Sequence, residues 1–386
     1  MKYYVIAGEA SGDLHGSNLL KALKTADPAA DFRVWGGDLM QAAGGDLRKH
    51  YRELAFMGFV EVVRNLRTIL RNIEFCKADI TDYQPDALIL IDYPGFNLRI
   101  AKWAKQQGYK VIYYISPQLW AWHASRVHDI KKTVDKMLVI LPFEPEFYQN
   151  YDYKVEFVGH PLLDVIENYQ PTSDFIQKNK LSDQPIIALL PGSRKQEITR
   201  MLDVMLSVVP EFPDYQFVIA GAPSQPKEFY DAILKDSKVK NQVYLVQNQT
   251  YDLLSHAKAA LVTSGTATLE TALFNVPEVV CYKGSAISYA IAKRVVGKRI
   301  KFISLVNLII DRLLVKELIQ NELNTHNLKQ ALKEILHPDK ADVIKSGYKA
   351  LQQKLGNAGA SQRAASIITA YLSESGFSGL KDRIKL

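Results

Sequence analysis

Cysteine is nearly missing from this chain. Only Cys76 and Cys281 occur, far apart and without ligand-like spacing, which excludes a disulfide framework or a cysteine-rich zinc site and suits a reducing compartment. No apolar run is long enough to cross a bilayer, so any membrane contact is expected to be peripheral. The first residues, M-K-Y-Y-V-I-A-G-E-A, hold no h-region or cleavage site, and no signal peptide is expected. Gly8, Gly12 and Gly16 do not make G-x-G-x-x-G, so the dinucleotide fingerprint is absent. Internal repeats and low-complexity tracts are lacking too. There is no acidic excess: a net charge of +7 and a pI near 9.0 favour anionic partners, whether phosphorylated substrates, nucleic acid or an acidic membrane surface.

What is there is a globular composition, 47% hydrophobic and 23% charged, over 386 residues, too many for one ordinary core. Two domains are expected. The sequence turns polar past Asp164, which places the linker near 167–174 and gives domains at 1–168 and 169–350, with C-terminal helices at 351–386. Short apolar runs alternate with turns and helical periodicity in both halves, the pattern of two doubly wound, Rossmann-like α/β sheets.

In the first half strands are expected at 3–7, 32–35, 87–91, 111–115, 136–141 and 155–158. Such sheets bind ligands outside the carboxyl ends of their strands. Three loops there carry polar groups. G-E-A-S-G-D-L-H-G offers Glu9, Ser11, Asp13 and His15, as ligand contacts or as caps of a turn. Asp92, directly after the run A-L-I-L-I, suits a general base or a cap of the Pro94-Gly95 turn. S-P-Q-L-W-A-W-H-A-S-R-V sets Trp120, Trp122, His123 and Arg126 on one loop, suited to a sugar ring or an acyl chain carrying a phosphate; anchoring of the loop by a tryptophan competes. Between these loops, Val60, Val63, Leu66, Leu70 and Ile73 repeat at three and four residues, widened by Phe59, Val62 and Ile69 and interleaved with Arg64, Arg67 and Arg71. That face fits anionic lipid or the protein's own core.

The second half is expected to form strands at 186–190, 217–220, 243–246, 259–262 and 279–282. Its first strand stops at Pro191-Gly192-Ser193-Arg194 before a helix. Backbone N–H groups at a helix start, with the Arg194 charge, make a seat for a phosphate or diphosphate. Ser193 with Gln196 also reads as a capping box. Ser264, Gly265 and Thr266 form a second such turn, and Glu270, one helical turn on, can take the two ribose hydroxyls or complement the helix dipole. Two such turns in one domain favour a nucleotide site. Asn307, alone among apolar neighbours, is a satisfied core amide or a ligand contact.

Taken in order, A-G-E-A-S-G-D-L-H-G, S-P-Q-L-W-A-W-H-A-S-R-V, L-P-F-E-P-E-F-Y, F-V-G-H-P-L-L-D, L-L-P-G-S-R and S-G-T-A-T-L-E resemble the lipid-A-disaccharide synthases. The resemblance implies a GT-B glycosyltransferase of two Rossmann-like domains with the active site in the cleft between them. It implies transfer of 2,3-diacylglucosamine from its UDP derivative to the 6-hydroxyl of 2,3-diacylglucosamine 1-phosphate, with inversion and without metal or other cofactor. Asp92 then matches the proposed base, Arg194 the diphosphate contact, Glu270 a ribose contact and Asn307 a further diphosphate contact. His123 departs from the more strongly basic residue expected in the W-A-W loop. Acylated substrates promote the stripe of Val60, Val63, Leu66, Ile69, Leu70 and Ile73 to a membrane or acyl contact of a cytoplasmic protein on the inner-membrane surface, with no nucleic-acid partner; the resemblance also implies a homodimer, since the family tends to pair through exchange of its C-terminal helices. The competing expectations are another UDP-sugar GT-B enzyme (an epimerase or a peptidoglycan glycosyltransferase) and a non-catalytic nucleotide- or lipid-binding protein.

Overall fold

Thirteen strands in the described residues form two parallel sheets, each flanked by helices. The computed structural model describes residues 1–54, 66–122, 124–235, 237, 239, 242–284 and 301–383. The chain divides into two compact units, Met1–Asp164 with Asn357–Leu386, and Val165–Gly356.

The first unit holds β1 (Lys2–Ala7), β2 (Asp31–Gly36), β3 (Asp46–His50), β4 (Ala87–Ile91), β5 (Val111–Tyr114), β6 (Lys136–Val139) and β7 (Glu156–Phe157), in the order β3-β2-β1-β4-β5-β6-β7. The central strands are apolar throughout because helices cover both of their faces, and all five residues of β4 are buried. The strand order reverses between β1 and β4, where Ala7 pairs with Ile91. The loops leaving these two strands therefore meet at the switch point of the sheet. The last helix, Ala360–Arg383, packs on the helix Ala10–Ala26 that follows β1. Asp164 caps its start, accepting from the N–H groups of Gly359 (2.6 Å), Ala360 (3.0 Å) and Ser361 (3.0 Å).

The helix Leu66–Tyr83 corrects part of the expected lipid-facing stripe. Ile73 is buried in the first unit's core and Ile69 packs against it, whereas Leu70 is 52% exposed. Phe75, 44% exposed, shares the outer face. The core face is fixed by Asp79, which accepts from the Tyr4 hydroxyl at 2.7 Å and from Arg33 at 3.0 Å. Val60 and Val63 lie outside the described residues, and the Leu66 side chain is not described.

The second unit holds β8 (Ile186–Leu190), β9 (Gln216–Gly221), β10 (Val243–Gln247), β11 (Ala257–Thr263), β12 (Glu278–Tyr282) and β13 (Lys316–Ile319), in the order β10-β9-β8-β11-β12-β13. The order reverses between β8 and β11, where Leu190 pairs with Val262. The turn at 191–194 and the turn at 264–266 thus leave neighbouring strands at one edge. β3 and β13 were not expected from the sequence. Both are charged outer strands, D-L-R-K-H and K-E-L-I, which lack the apolar run that marks an interior strand.

Candidate active site

At the first switch point the backbone is held in an uncommon shape. Asp92 and Tyr93, both non-glycine, are left-handed with φ of 43° and 47°. Such positions cost on the order of 1–3 kcal/mol each and persist only where surroundings impose them. Here the Asp92 carbonyl accepts from the Asn97 side-chain amide at 2.8 Å and from the Tyr113 hydroxyl at 2.5 Å. The Tyr93 ring lies on Gly8, where a Cβ would come within 2.3 Å of it, so only glycine admits this approach. The result aims the half-buried Asp92 side chain off the strand end. Burial first, then the negative charge of Glu9, pushes its carboxyl up to about 7.

Around Asp92 the expected ligand groups separate. Glu9 is the half-buried N-cap residue of the helix Ala10–Ala26, with Ser11 exposed in its first turn. Asp13 does not reach a ligand. It is 3% exposed and accepts from the N–H groups of Gly37 (2.7 Å), Leu39 (3.2 Å) and Met40 (3.0 Å), so it caps the neighbouring turn. His15 is likewise interior, 5% exposed, and burial holds it neutral with its pKa lowered to about 4. Asp13 is thus taken up as a backbone cap, whereas His15 Nδ1 has no hydrogen-bond partner among the described residues.

The loop after β5 is anchored from below. Trp120 is half-buried and sets its ring edge-on to Phe143 with centroids 5.0 Å apart. Trp122 ends a short helix, Leu119–Trp122, and Arg126 is exposed. The Trp122 side chain is not described, and His123 lies outside the described residues. Glu144 joins this loop to the next. It is 1% exposed, accepts from the N–H groups of Ile140 (3.1 Å) and Leu141 (2.8 Å), and has Trp120 and Ser116 beside its carboxyl, which burial pushes up to about 8. No role was assigned to it from sequence, although a glutamate between two prolines after a buried strand, P-F-E-P, was a visible signal.

In the second unit Gly192 takes φ +102°, and Arg194 is exposed at the N-cap position before the helix Lys195–Leu206. The expected Ser193–Gln196 capping box is replaced by another bond: the Ser193 N–H donates to the Glu197 carboxylate at 3.2 Å. Gly265 precedes the helix Thr266–Leu273, whose start has no side-chain cap. Gly265 and Thr266 are exposed, and the Ser264 hydroxyl donates to the Ile303 carbonyl at 3.0 Å. Glu270 is half-buried and accepts from the Tyr251 hydroxyl at 2.8 Å; burial raises its pKa.

Asn307 is a core amide and not a diphosphate contact. Its side-chain N–H groups donate to the Val315 carbonyl (2.8 Å) and to Glu317 (2.9 Å). Its oxygen accepts from the N–H groups of Leu314 (2.8 Å) and Val315 (3.0 Å). All four of its hydrogen-bonding positions are used and the residue is 0% exposed, so nothing remains for a ligand.

Each unit therefore carries, at its own switch point, the loops that nucleotide- and sugar-handling folds use. Solved structures share the architecture. UDP-GlcNAc 2-epimerase from Neisseria meningitidis matches with a TM-score of 0.66 at 15% identity, over 97% of this chain and 100% of that one. The calicheamicin glycosyltransferase matches with a TM-score of 0.57 at 17% identity, over 96% and 98%. The fold is thus the GT-B arrangement of two Rossmann-like domains. Sequence relatives are nearer. The lipid-A-disaccharide synthase of Syntrophus aciditrophicus is 40% identical over 94% of this chain and 95% of its own. That of Geobacter metallireducens is 37% identical over 95% and 96%. The chain belongs to the lipid-A-disaccharide synthetase family, whose pattern it matches over residues 3–370.

Proposed function

We propose that this protein transfers 2,3-diacylglucosamine from its UDP derivative to the 6-hydroxyl of 2,3-diacylglucosamine 1-phosphate, giving a β-1,6-linked disaccharide 1-phosphate and UDP. The relatives' names supply the reaction, and one observation supports it best: a half-buried carboxyl with a pKa of about 7, held at a switch point on strained backbone. A group with that pKa is substantially ionised at neutral pH and remains basic enough to take a proton. Asp92 removes the hydroxyl proton as the oxygen attacks the anomeric carbon from the face opposite UDP. The bond from that carbon to the UDP oxygen breaks, and its electron pair leaves with the diphosphate.

The second unit's groups match the departing charge. Arg194, with the backbone N–H groups at Gly192, Gly265 and Thr266, seats the diphosphate, and Glu270 takes the ribose hydroxyls; the Ser193 and Ser264 N–H groups are given to Glu197 and to the Cys281 carbonyl instead. On the acceptor side stand Glu9, Ser11, Trp120, Trp122 and Arg126. The outer face of the helix Leu66–Tyr83, with Leu70 and Phe75 beside exposed Arg67 and Arg71, suits an anionic lipid surface. No described helix is long and apolar enough to cross a membrane, and in this reading the protein works on the cytoplasmic face of the inner membrane as a homodimer.

The test is a product assay on the purified chain with UDP-2,3-diacylglucosamine and the monophosphate acceptor. The expected result is one disaccharide phosphate per UDP released. Epimerisation of a UDP-sugar, or UDP binding with no product, would replace this reading.

A further inference from the structure

The ribose end of the nucleotide seat has a support of its own. Glu270 lies on the helix Thr266–Leu273 after β11, and Tyr251 on the helix Thr250–His256 after β10, on opposite sides of β8 and β9 in the sheet order. The Tyr251 hydroxyl reaches across and donates to Glu270 Oε1 at 2.8 Å. Among the described residues no other side chain or backbone group donates to this carboxylate.

The tyrosine is itself wedged. Its ring packs on Phe274 (centroids 5.1 Å, tilted 38°) and meets Tyr169 edge-on (5.4 Å, 83°). Tyr169 also meets Phe274 edge-on at 5.8 Å, closing a three-ring cluster. Tyr169 leads into the segment that Asp252 holds by accepting the Thr172 N–H at 2.6 Å. The hydroxyl of Tyr251 is thus fixed in place before any ligand arrives.

A carboxylate offers about four lone-pair directions, and Tyr251 uses one of them. A free glutamate on a helix samples several rotamers, each with its own direction for the remaining lone pairs. Vicinal hydroxyls of a ribose require two of those directions at a set spacing and orientation. A single strong donor on Oε1 selects one rotamer and leaves Oε2 and the second position on Oε1 turned outward. Hydrogen bonds to an ionised partner are also stronger than neutral ones, so the rotamer choice is well enforced.

We propose that Tyr251 is the positioning residue for ribose recognition: through its hydroxyl it holds Glu270 in the one orientation that engages both the 2′- and 3′-hydroxyls, and so sets the preference of this site for a ribonucleoside diphosphate over its 2′-deoxy counterpart. The inference rests on the assignment of Glu270 to the ribose. Tyr251 touches no substrate in it.

The experiment measures Kd for UDP and for 2′-deoxy-UDP by calorimetry on the full-length wild type, Tyr251→Phe and Glu270→Ala. Phenylalanine keeps the three-ring cluster and removes only the hydroxyl. The readout is the ratio of the two Kd values, which partial unfolding does not move because both ligands see the same folded fraction. The wild type is expected to prefer UDP by at least about 10-fold, the scale of lost hydrogen bonds to a charged group. Glu270→Ala should bring the ratio close to one, and Tyr251→Phe should lower it about 3- to 10-fold from the wild-type value. Tyr251→Phe with the full wild-type ratio, beside a Glu270→Ala that has lost it, would overturn the role of Tyr251 while sparing that of Glu270. A Glu270→Ala ratio equal to wild type would instead remove the ribose assignment on which the inference stands.

Discussion

Three carboxyl groups show how one residue type is put to different uses by its surroundings. Asp13 has three backbone N–H donors and is a cap. Asp92 has partial burial and Glu9 beside it, which raise it to about 7 and suit it to take a proton. Glu278 is fully buried in β12, with Tyr348 and Glu317 as polar neighbours and no hydrogen bond of good geometry to either of its oxygens among the described residues. Burial raises its pKa well above the ordinary value, opposed by the Tyr348 hydroxyl and reinforced to a smaller degree by the charge of Glu317. The consequence for stability has a definite sign. Above the ordinary carboxyl range the unfolded chain has released this proton while the folded chain keeps it. Folding is then coupled to proton uptake, and stability falls as pH rises toward the folded-state pKa. Glu278→Gln removes that proton from the balance. Denaturant midpoints measured from pH 5 to pH 9 should fall more steeply for the wild type than for Glu278→Gln, and the two curves should separate as pH rises. Parallel curves would mean that Glu278 is partnered and charged in the folded protein.

The helix Leu66–Tyr83 divides its apolar residues between two tasks. Ile73 belongs to the core, while Leu70 and Phe75 are exposed beside Arg67 and Arg71. The double variant Leu70→Asp, Phe75→Asp should therefore lose binding to vesicles of anionic phospholipid in a sedimentation assay, with stability changed by no more than about 0.5 kcal/mol at Leu70 and by more at Phe75, whose ring packs on Trp35 with centroids 6.0 Å apart. Ile73→Asp should instead destabilise the protein by about 3 kcal/mol or more, because it buries an unpaired charge. Unchanged vesicle binding by the double variant would take the lipid surface off this face. The sequence alone could not divide the stripe, since both a core face and a lipid face show period 3.6. Interior strands were legible for the opposite reason: β4 and β8 are unbroken apolar runs that only a doubly covered sheet can bury. β3 and β13 were not, because charge at a sheet edge looks like a loop. Asn307 shows the same limit at a site. A polar residue in an apolar run fits a ligand contact or a core amide until its partners are known, and those partners, Val315 and Glu317, lie 8 and 10 residues further along the chain.

At the scale of the molecule, two sheets of the same winding hold different chemistry at their switch points. The first presents a carboxylate on strained backbone between β1 and β4. The second presents glycine turns, Arg194 and Glu270 between β8 and β11. Membership of the lipid-A-disaccharide synthetase family and the GT-B fold agree with the order of motifs in the sequence, each weak alone. The fold fixes which loops meet within each unit, and the family supplies the reaction to which they are assigned. The central claim is that Asp92 works in its ionised form as the base. It is tested most directly by the pH dependence of kcat/KM for disaccharide formation, with UDP affinity measured alongside, in the wild type and Asp92→Asn. Ionisation of a carboxyl at about 7 makes wild-type kcat/KM rise with pH through that value and level off above it. Asp92→Asn should lose about 100- to 10,000-fold in kcat/KM, and with it this acid limb, while binding UDP as before. An Asp92→Asn enzyme that keeps the wild-type rate and the same acid limb would contradict the account.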